Sequence, residues 1–168
     1  MNIRIRDETT LDVPAITALT EAAFLNVPHT AHTEQFIVNA LRRAGQLSLS
    51  LVAEQAGAVV GHVALSPVTV SDGAPGWYGL GPISVLPALQ GQGIGSALMH
   101  AALDGLRARG AAGCVLVGDP AYYARFGFKP QPGLLYPGIP SEYFMALAFG
   151  AAVPQGSVVF HSAFGATA

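Results

Sequence analysis

Val85-Leu86-Pro87-Ala88-Leu89-Gln90-Gly91-Gln92-Gly93-Ile94-Gly95-Ser96 is the stretch on which the fold turns. An apolar strand runs into Pro87, glycines alternate at 91, 93 and 95, and apolar residues at helical spacing begin with Ile94. Glycine has no Cβ, so the backbone can take a positive φ and a ligand can come close. The first amides of the following helix have no intrahelical partner and stand at the positive end of its dipole. Strand, turn and helix start together suit a pyrophosphate. Spacing alone leaves several readings open. A dinucleotide fingerprint wants a third glycine where the chain has Ser96, and an acidic residue about 20 positions further on, where it has Val115 to Val117. A triphosphate-binding loop needs Gly-Lys-Ser/Thr, which is absent. A tight turn with no ligand is equally compatible with the glycines.

Upstream, Tyr78 to Val85 reads as a strand with Pro82 in its middle. Proline cannot donate to a sheet ladder, so this strand is expected to be unpaired over part of its length. Leu47, Leu49 and Leu51 alternate with serines, and Gln55-Ala56-Gly57 turns the chain into Val59, Val60, Val63 and Leu65, which predicts a hairpin. Ile3 and Ile5 alternate with Arg4 and Arg6 in a short first strand. Two helices are predicted between these strands. One opens with Asp12 as its cap and Pro14 in its first turn. The other starts at Thr33, buries Phe36, Ile37, Ala40 and Leu41, and stops at Gly45 after Arg42 and Arg43.

Downstream, Ile94, Ala97, Leu98, Ala101 and Leu106 mark a helix ending at Gly110. Cys114 to Val117 is a continuous apolar run, as expected of a strand covered on both faces. A brief helix at Asp119–Phe126 and strands at Tyr143–Phe149 and Ser157–His161 complete the order β-α-α-β-β-β-α-β-α-β-β. The fold class is α/β (mixed α+β), a mixed sheet with helices on both faces, in a single domain over residues 1–168.

Composition narrows the function classes. Only 11% of the 168 residues are charged, against roughly 25% in ordinary soluble domains, and 51% are hydrophobic. Such a chain buries a core and is not disordered. A net charge of −2 argues against a nucleic-acid partner, which would need a basic face. From Gly73 to Leu103 no residue is charged, but prolines and glycines interrupt that stretch and argue against a membrane span. Cys114 stands alone, so neither a disulfide framework nor a cysteine zinc site is expected. His29 and His32 lack a third ligand at metal spacing, so no metal is expected. Met1 to Glu8 has no signal-peptide pattern, and the expected location is cytoplasmic.

Gln90-x-x-Gly93-x-Gly95 matches a third glycine pattern, Q/R-x-x-G-x-G/A, and here the chain resembles the GNAT superfamily of acyl-CoA-dependent N-acetyltransferases. Val85-x-Pro87, Ile94-Gly95-x-x-Leu98 and Tyr123-x-x-x-Gly127-Phe128 fit that family as well. Gly61-His62-Val63, Trp77 to Pro82 and Gly118 to Tyr123 are similar to bacterial acetyltransferases of the YhbS type, and the resemblance runs from Ile5 to Phe164. It implies a mostly antiparallel sheet of about six to seven strands, with acetyl-CoA as acyl donor and an amine as acceptor. It implies that Leu80 to Val85 is splayed from the next strand, with Ile83, Ser84 and Val85 offering backbone groups to the pantetheine arm. Gln90, Gly91, Gln92, Gly93, Ile94, Gly95 and Ser96 would hold the pyrophosphate.

The resemblance also implies a general acid, a tyrosine four residues before Gly-Phe, which is Tyr123. Tyr122 is its rival, although its spacing to Phe126 suits core packing. An asparagine that many family members place seven residues before this tyrosine is replaced by Leu116, so that cofactor contact is not expected here. Arg125 and Lys129 are either phosphate contacts or a solvated pair. An amine with a pKa near 10.4 is about 0.1% neutral at pH 7.4, so a base or water chain is needed. Glu34 stands first among side-chain candidates for that base, then His62, with His29, His32, Glu142 and His161 behind. A water relay without a unique base is the broader reading. A non-catalytic acyl-CoA sensor is the alternative function, and the uncharged segment after Glu142 makes a homodimer the possible assembly.

Overall fold

A computed structural model describes residues 2–28, 30–150 and 152–168. Its frame follows from alternation in the hairpin β2 (Leu49–Gln55) and β3 (Ala58–Val70). Leu51, Ala53, Val63 and Leu65 point to one face of the sheet and pack under α3 (Ile94–Ala108). Val52 points to the other face and packs with Ile16 of α1 (Val13–Phe24) and Val38 of α2 (Glu34–Arg43). Ala56 and Gly57, at φ +50° and +81°, make the connecting turn. Helix α3 buries Ile94, Leu98, Met99, Ala102, Leu103 and Leu106, a stripe at helical spacing that seals the first face.

Among the described residues the strands form one eight-stranded sheet. The main path runs β1 (Arg4–Asp7), β2, β3, β4 (Trp77–Val85), β5 (Gly113–Val117) and β7 (Phe144–Ala148). Strand β8 (Gly156–Phe160) joins the far end of β3, and the two-residue β6 (Leu134–Leu135) lies beside β8. Pairing is antiparallel except at β4–β5 and β6–β8. Helices α1 and α2 cover one face, α3 the other. The mixed, mostly antiparallel sheet is therefore as expected, and β6, too short for any periodicity, is an addition to it.

Two local expectations are corrected. Asp12 stands at the start of α1, but its side chain makes no cap bond there. Its carboxylate instead accepts from both terminal nitrogens of Arg6, at 2.7 and 3.0 Å, and from the Thr9 amide at 2.7 Å. A paired guanidinium outcompetes a lone helix amide for a carboxylate. In α2 the buried residues are Gln35, Ile37, Val38 and Leu41, whereas Phe36 and Ala40 are only half-buried. Ile37 and Leu41 meet Ala163 of the C-terminal turn, which sets the rotation of the helix.

Pro82 has the consequence its chemistry demands. Leu65 pairs with Leu80 and Val63 with Ile83, so Gly81 and Pro82 bulge out of the β3 register. On its other side, β4 pairs with β5 only through Trp77, Tyr78 and Gly79. From Leu80 to Val85 the two strands have parted.

Candidate active site

The parted strands lead straight into the glycine turn. Gln90 folds back and its side-chain amide donates to the Val85 carbonyl at 3.1 Å, which fixes the turn against the strand. Gly91 and Gly93 sit at φ +78° and +89°, Gly93 being the residue before α3. An added Cβ would meet nothing within 4 Å at either position. The left-handed backbone, not crowding by protein, is what calls for glycine there. The amides of residues 91 to 96 donate to no acceptor among the described residues. Gly91, Gln92 and Gly93 are exposed, while Ile94 is buried and anchors the start of the helix. A row of free N–H groups at a helix N-terminus is the chemistry that holds a phosphate diester.

Ile83 and Val85 lean into the α3 core, and Ser84 points to the opposite face, 2% exposed. Ser84 thus lies at the splay with its side chain turned toward α1 and α2.

Asp119 caps α4 (Pro120–Tyr123), its carboxylate accepting from the Ala121 amide at 3.0 Å. A 3-10 turn, Ala124–Phe126, continues the helix, and Gly127 at φ +94° closes it. The Tyr123 ring lies directly against Gly118, where a Cβ would overlap it, and stands edge-on to Tyr122 and Phe128 at 4.9 and 6.4 Å between centroids. Burial, with Tyr122 and Asp119 adding to it, pushes the phenol up to about 12. It stays protonated at neutral pH, as a proton donor must. The Tyr122 hydroxyl reaches instead to Gly95, its ring meets Phe126 at 5.6 Å, and Arg125 stacks over it at 4.7 Å. Arg125 is exposed, and the cation–π contact ties its guanidinium to Tyr122. Lys129 is exposed, and its backbone bridges Ala146. Leu116, a residue of β5, is buried in the α3 core.

The base candidates are scattered. Glu34 opens α2, with Oε1 buried and without a hydrogen-bond partner among the described residues. His62 is fully buried in β3. The His32 ring bonds the Phe24 carbonyl at 2.9 Å, and His161 Nδ1 accepts from the Ala163 amide at 3.0 Å, so both serve local turns. Glu142 is exposed, and His29 lies outside the described residues. No cluster of three metal-ligating side chains occurs among the described residues, and no described helix is long and apolar enough to cross a membrane.

A cavity of about 500 Å³ is lined by Leu134, Leu135, Tyr136, Ile139, Phe144 and three prolines among others, and Leu134, Tyr136 and Phe144 pack on the sheet face away from α3. Sequence periodicity could not find it, because residues 130–144 are mostly turns. Phe144 pairs with Val117 at the end of β5, and the neighbouring Tyr143 carbonyl accepts from Gly118, the residue under Tyr123.

Residues 13–128 match the model of the acetyltransferase (GNAT) family. The chain belongs to that family. It is 40% identical over 126 residues to the uncharacterized N-acetyltransferase YhbS of Escherichia coli K12, covering 74% of this chain and 72% of YhbS. Among solved structures it is similar to a GNAT family acetyltransferase from Brucella melitensis in complex with acetyl-CoA. That match has 50% identity and a TM-score of 0.87, over 97% of this chain and 98% of the other. The structure of E. coli YhbS in complex with CoA gives 34% identity and the same TM-score, over 98% and 93% of the two chains.

Proposed function

We propose that this GNAT protein transfers an acetyl group from acetyl-CoA to a primary amine by direct attack, with Tyr123 as general acid. The observation that carries the reading is the splay itself. Strand β4 leaves β5 after Gly79 and, while still paired with β3, presents the other backbone edge of Leu80 to Val85 unpaired, immediately before a turn whose amides are free. Unpaired backbone along one strand suits the amides of a pantetheine arm, and the turn suits a pyrophosphate. The Brucella relative holds acetyl-CoA and YhbS holds CoA, which supports the same ligand here.

In this mechanism Ile83, Ser84 and Val85 orient the donor through backbone groups, and Gln92 and the glycines fix its phosphate end. A neutral amine attacks the thioester carbonyl, the C–N bond forms, and the C–S bond breaks as the Tyr123 hydroxyl gives its proton to the departing sulfur. The proton that the attacking nitrogen sheds on becoming an amide passes through water to the phenolate, whose high pKa makes that return downhill. The acceptor that best suits the cavity at Tyr136 and Phe144 is an amine on an apolar body, since its lining holds no acidic side chain. We further propose a cytoplasmic, single-domain enzyme.

Amine-dependent release of CoA thiol tests the reading. A panel of alkylamines, arylalkylamines and polyamines is incubated with protein and acetyl-CoA. Turnover is expected with the apolar-bodied amines, whereas acetyl-CoA binding without turnover for any amine would leave a sensor.

A further inference from the structure

Among the described residues, four buried side-chain atoms have no hydrogen-bond partner: Oε1 of Glu34, Nδ1 of His62, and the hydroxyls of Ser66 and Ser84. Buried polar groups are almost always satisfied, so each needs a reason. Three of the four share one place. His62 and Ser84 are directly paired across β3 and β4, and Ser66 pairs with Gly79, the last residue of β4 bound to β5. All three point to the face covered by α1 and α2, because their neighbours Val63, Leu65, Ile83 and Val85 point into the α3 core. Between His62 and Ser66 on that face lies only Ala64. The result is a polar row about 13 Å long, from the apex of the splay to His62.

From His62 the row continues outward. Its Nε2 is 2.7 Å from the Ser50 hydroxyl, and Ser50 donates to Glu8 Oε1. Glu8 also accepts from Arg42 at 2.7 and 2.8 Å. Glu8 and Ser50 line a surface cavity of about 440 Å³ with Arg42 and Arg109. The proton positions follow from donor counting. A carboxylate only accepts, and a serine hydroxyl has one proton, here committed to Glu8. His62 Nε2 must therefore carry a proton and donate to Ser50, which leaves a lone pair on Nδ1, the orphaned atom. Burial pushes the imidazolium down to about 4, with Glu8 working against that and Arg42 with it. Helix α1 buries Ile16, Leu19 and Thr20 on this face and adds no charge.

We propose that His62, Ser50 and Glu8 form a proton relay that carries the acceptor amine's proton from the acyl-transfer cleft to the surface cavity. The relay rests on the acetyltransferase reading above. The ammonium N–H bond breaks as water held by Ser66 and Ser84 takes the proton and passes one to His62 Nδ1. The Nε2 proton moves to the Ser50 oxygen, the Ser50 proton to Glu8, and Glu8 releases it to water in the cavity. The products are a neutral amine and a hydrated proton. Once the acetylated product has left, His62 gives its Nδ1 proton to water in the open cleft and takes one back at Nε2 through Ser50, which restores the starting tautomer. His62 and Ser50 are thus positioning residues acting through water.

Two measurements test the relay. The first needs no acceptor: ¹⁵N spectra of the histidine rings in the full chain, with His62 assigned through H62Q. The expected result is a neutral Nε2–H tautomer at pH 7; an Nδ1–H tautomer or an imidazolium overturns the relay. The second compares Ser50→Ala with Ser50→Thr on whichever panel amine wild type acetylates. Ser50→Ala should lower kcat at pH 7 by about 10-fold or more, with KM for acetyl-CoA unchanged. The deficit should close as pH approaches the amine's own pKa, and Ser50→Thr, which keeps the hydroxyl, should recover most of the rate. A Ser50→Ala deficit that is absent, or equal at every pH, overturns the relay alone. Wild type that acetylates no amine overturns the acetyltransferase reading, and the relay with it.

Discussion

Tyr123 is held by the shape of a single neighbour. Its ring lies where a side chain at residue 118 would be, so Gly118→Ala forces it to move. Overpacking of this kind costs about 1–3 kcal/mol, and here it displaces the proposed proton donor. Tyr123→Phe removes only the hydroxyl. In a thiol-release assay it is expected to lower kcat by about 100-fold while acetyl-CoA still binds; undiminished turnover would remove Tyr123 from the acid role. Because the phenol is pushed up to about 12, wild-type kcat should show no alkaline fall from this group below about pH 11. Motif spacing singles out Tyr123 over Tyr122, whose hydroxyl lies at Gly95, and Tyr123→Phe decides between them. The sequence put His62 only second among candidate bases and could not place it in a relay, because a histidine in an apolar strand looks the same whether its second nitrogen is satisfied or not.

At the level of elements, Pro82 foretold that β4 would not pair throughout, and the glycine turn foretold where α3 begins. Proline removes a donor and positive φ selects glycine, and both effects act within a few residues. Asp12 and Phe36 went differently because their partners, Arg6 and the C-terminal turn, come from other elements. The splay makes a prediction of its own. Amides of Leu80 to Val85 that face away from β3, and those of residues 91 to 96, should exchange with deuterium quickly in the free protein. Saturating acetyl-CoA should slow both groups together. Slowing of the turn alone would leave the strand out of the binding site.

For the whole molecule, buried ionisable groups on the α1/α2 side tie stability to pH. His62 falls from an ordinary value near 6.5 to about 4, so the unfolded chain takes up its proton first. Its contribution is complete above pH 6.5 and is lost as pH falls to 4, on the order of 3 kcal/mol. The Arg6 guanidinium holds the Asp12 carboxyl well below the usual carboxylate range, and at Glu8 the bonds from Arg42 and Ser50 outweigh burial in the same direction. Those contributions are present above about pH 4 and fade below it. Urea titrations should therefore show stability falling from pH 6.5 downward, with the first part of the slope missing in H62Q. A flat profile to pH 4 would mean His62 is charged or solvated in the folded state.

The same fold must hold acetyl-CoA if the glycine turn and the splay are one binding site. A thermal melt with and without acetyl-CoA asks this without needing the acceptor. At 100 times its dissociation constant the ligand adds about 2.7 kcal/mol, which for a domain of this size raises Tm by roughly 5–11 °C. A rise in that range is the predicted result. An unchanged Tm at saturating acetyl-CoA would contradict the assignment of both elements.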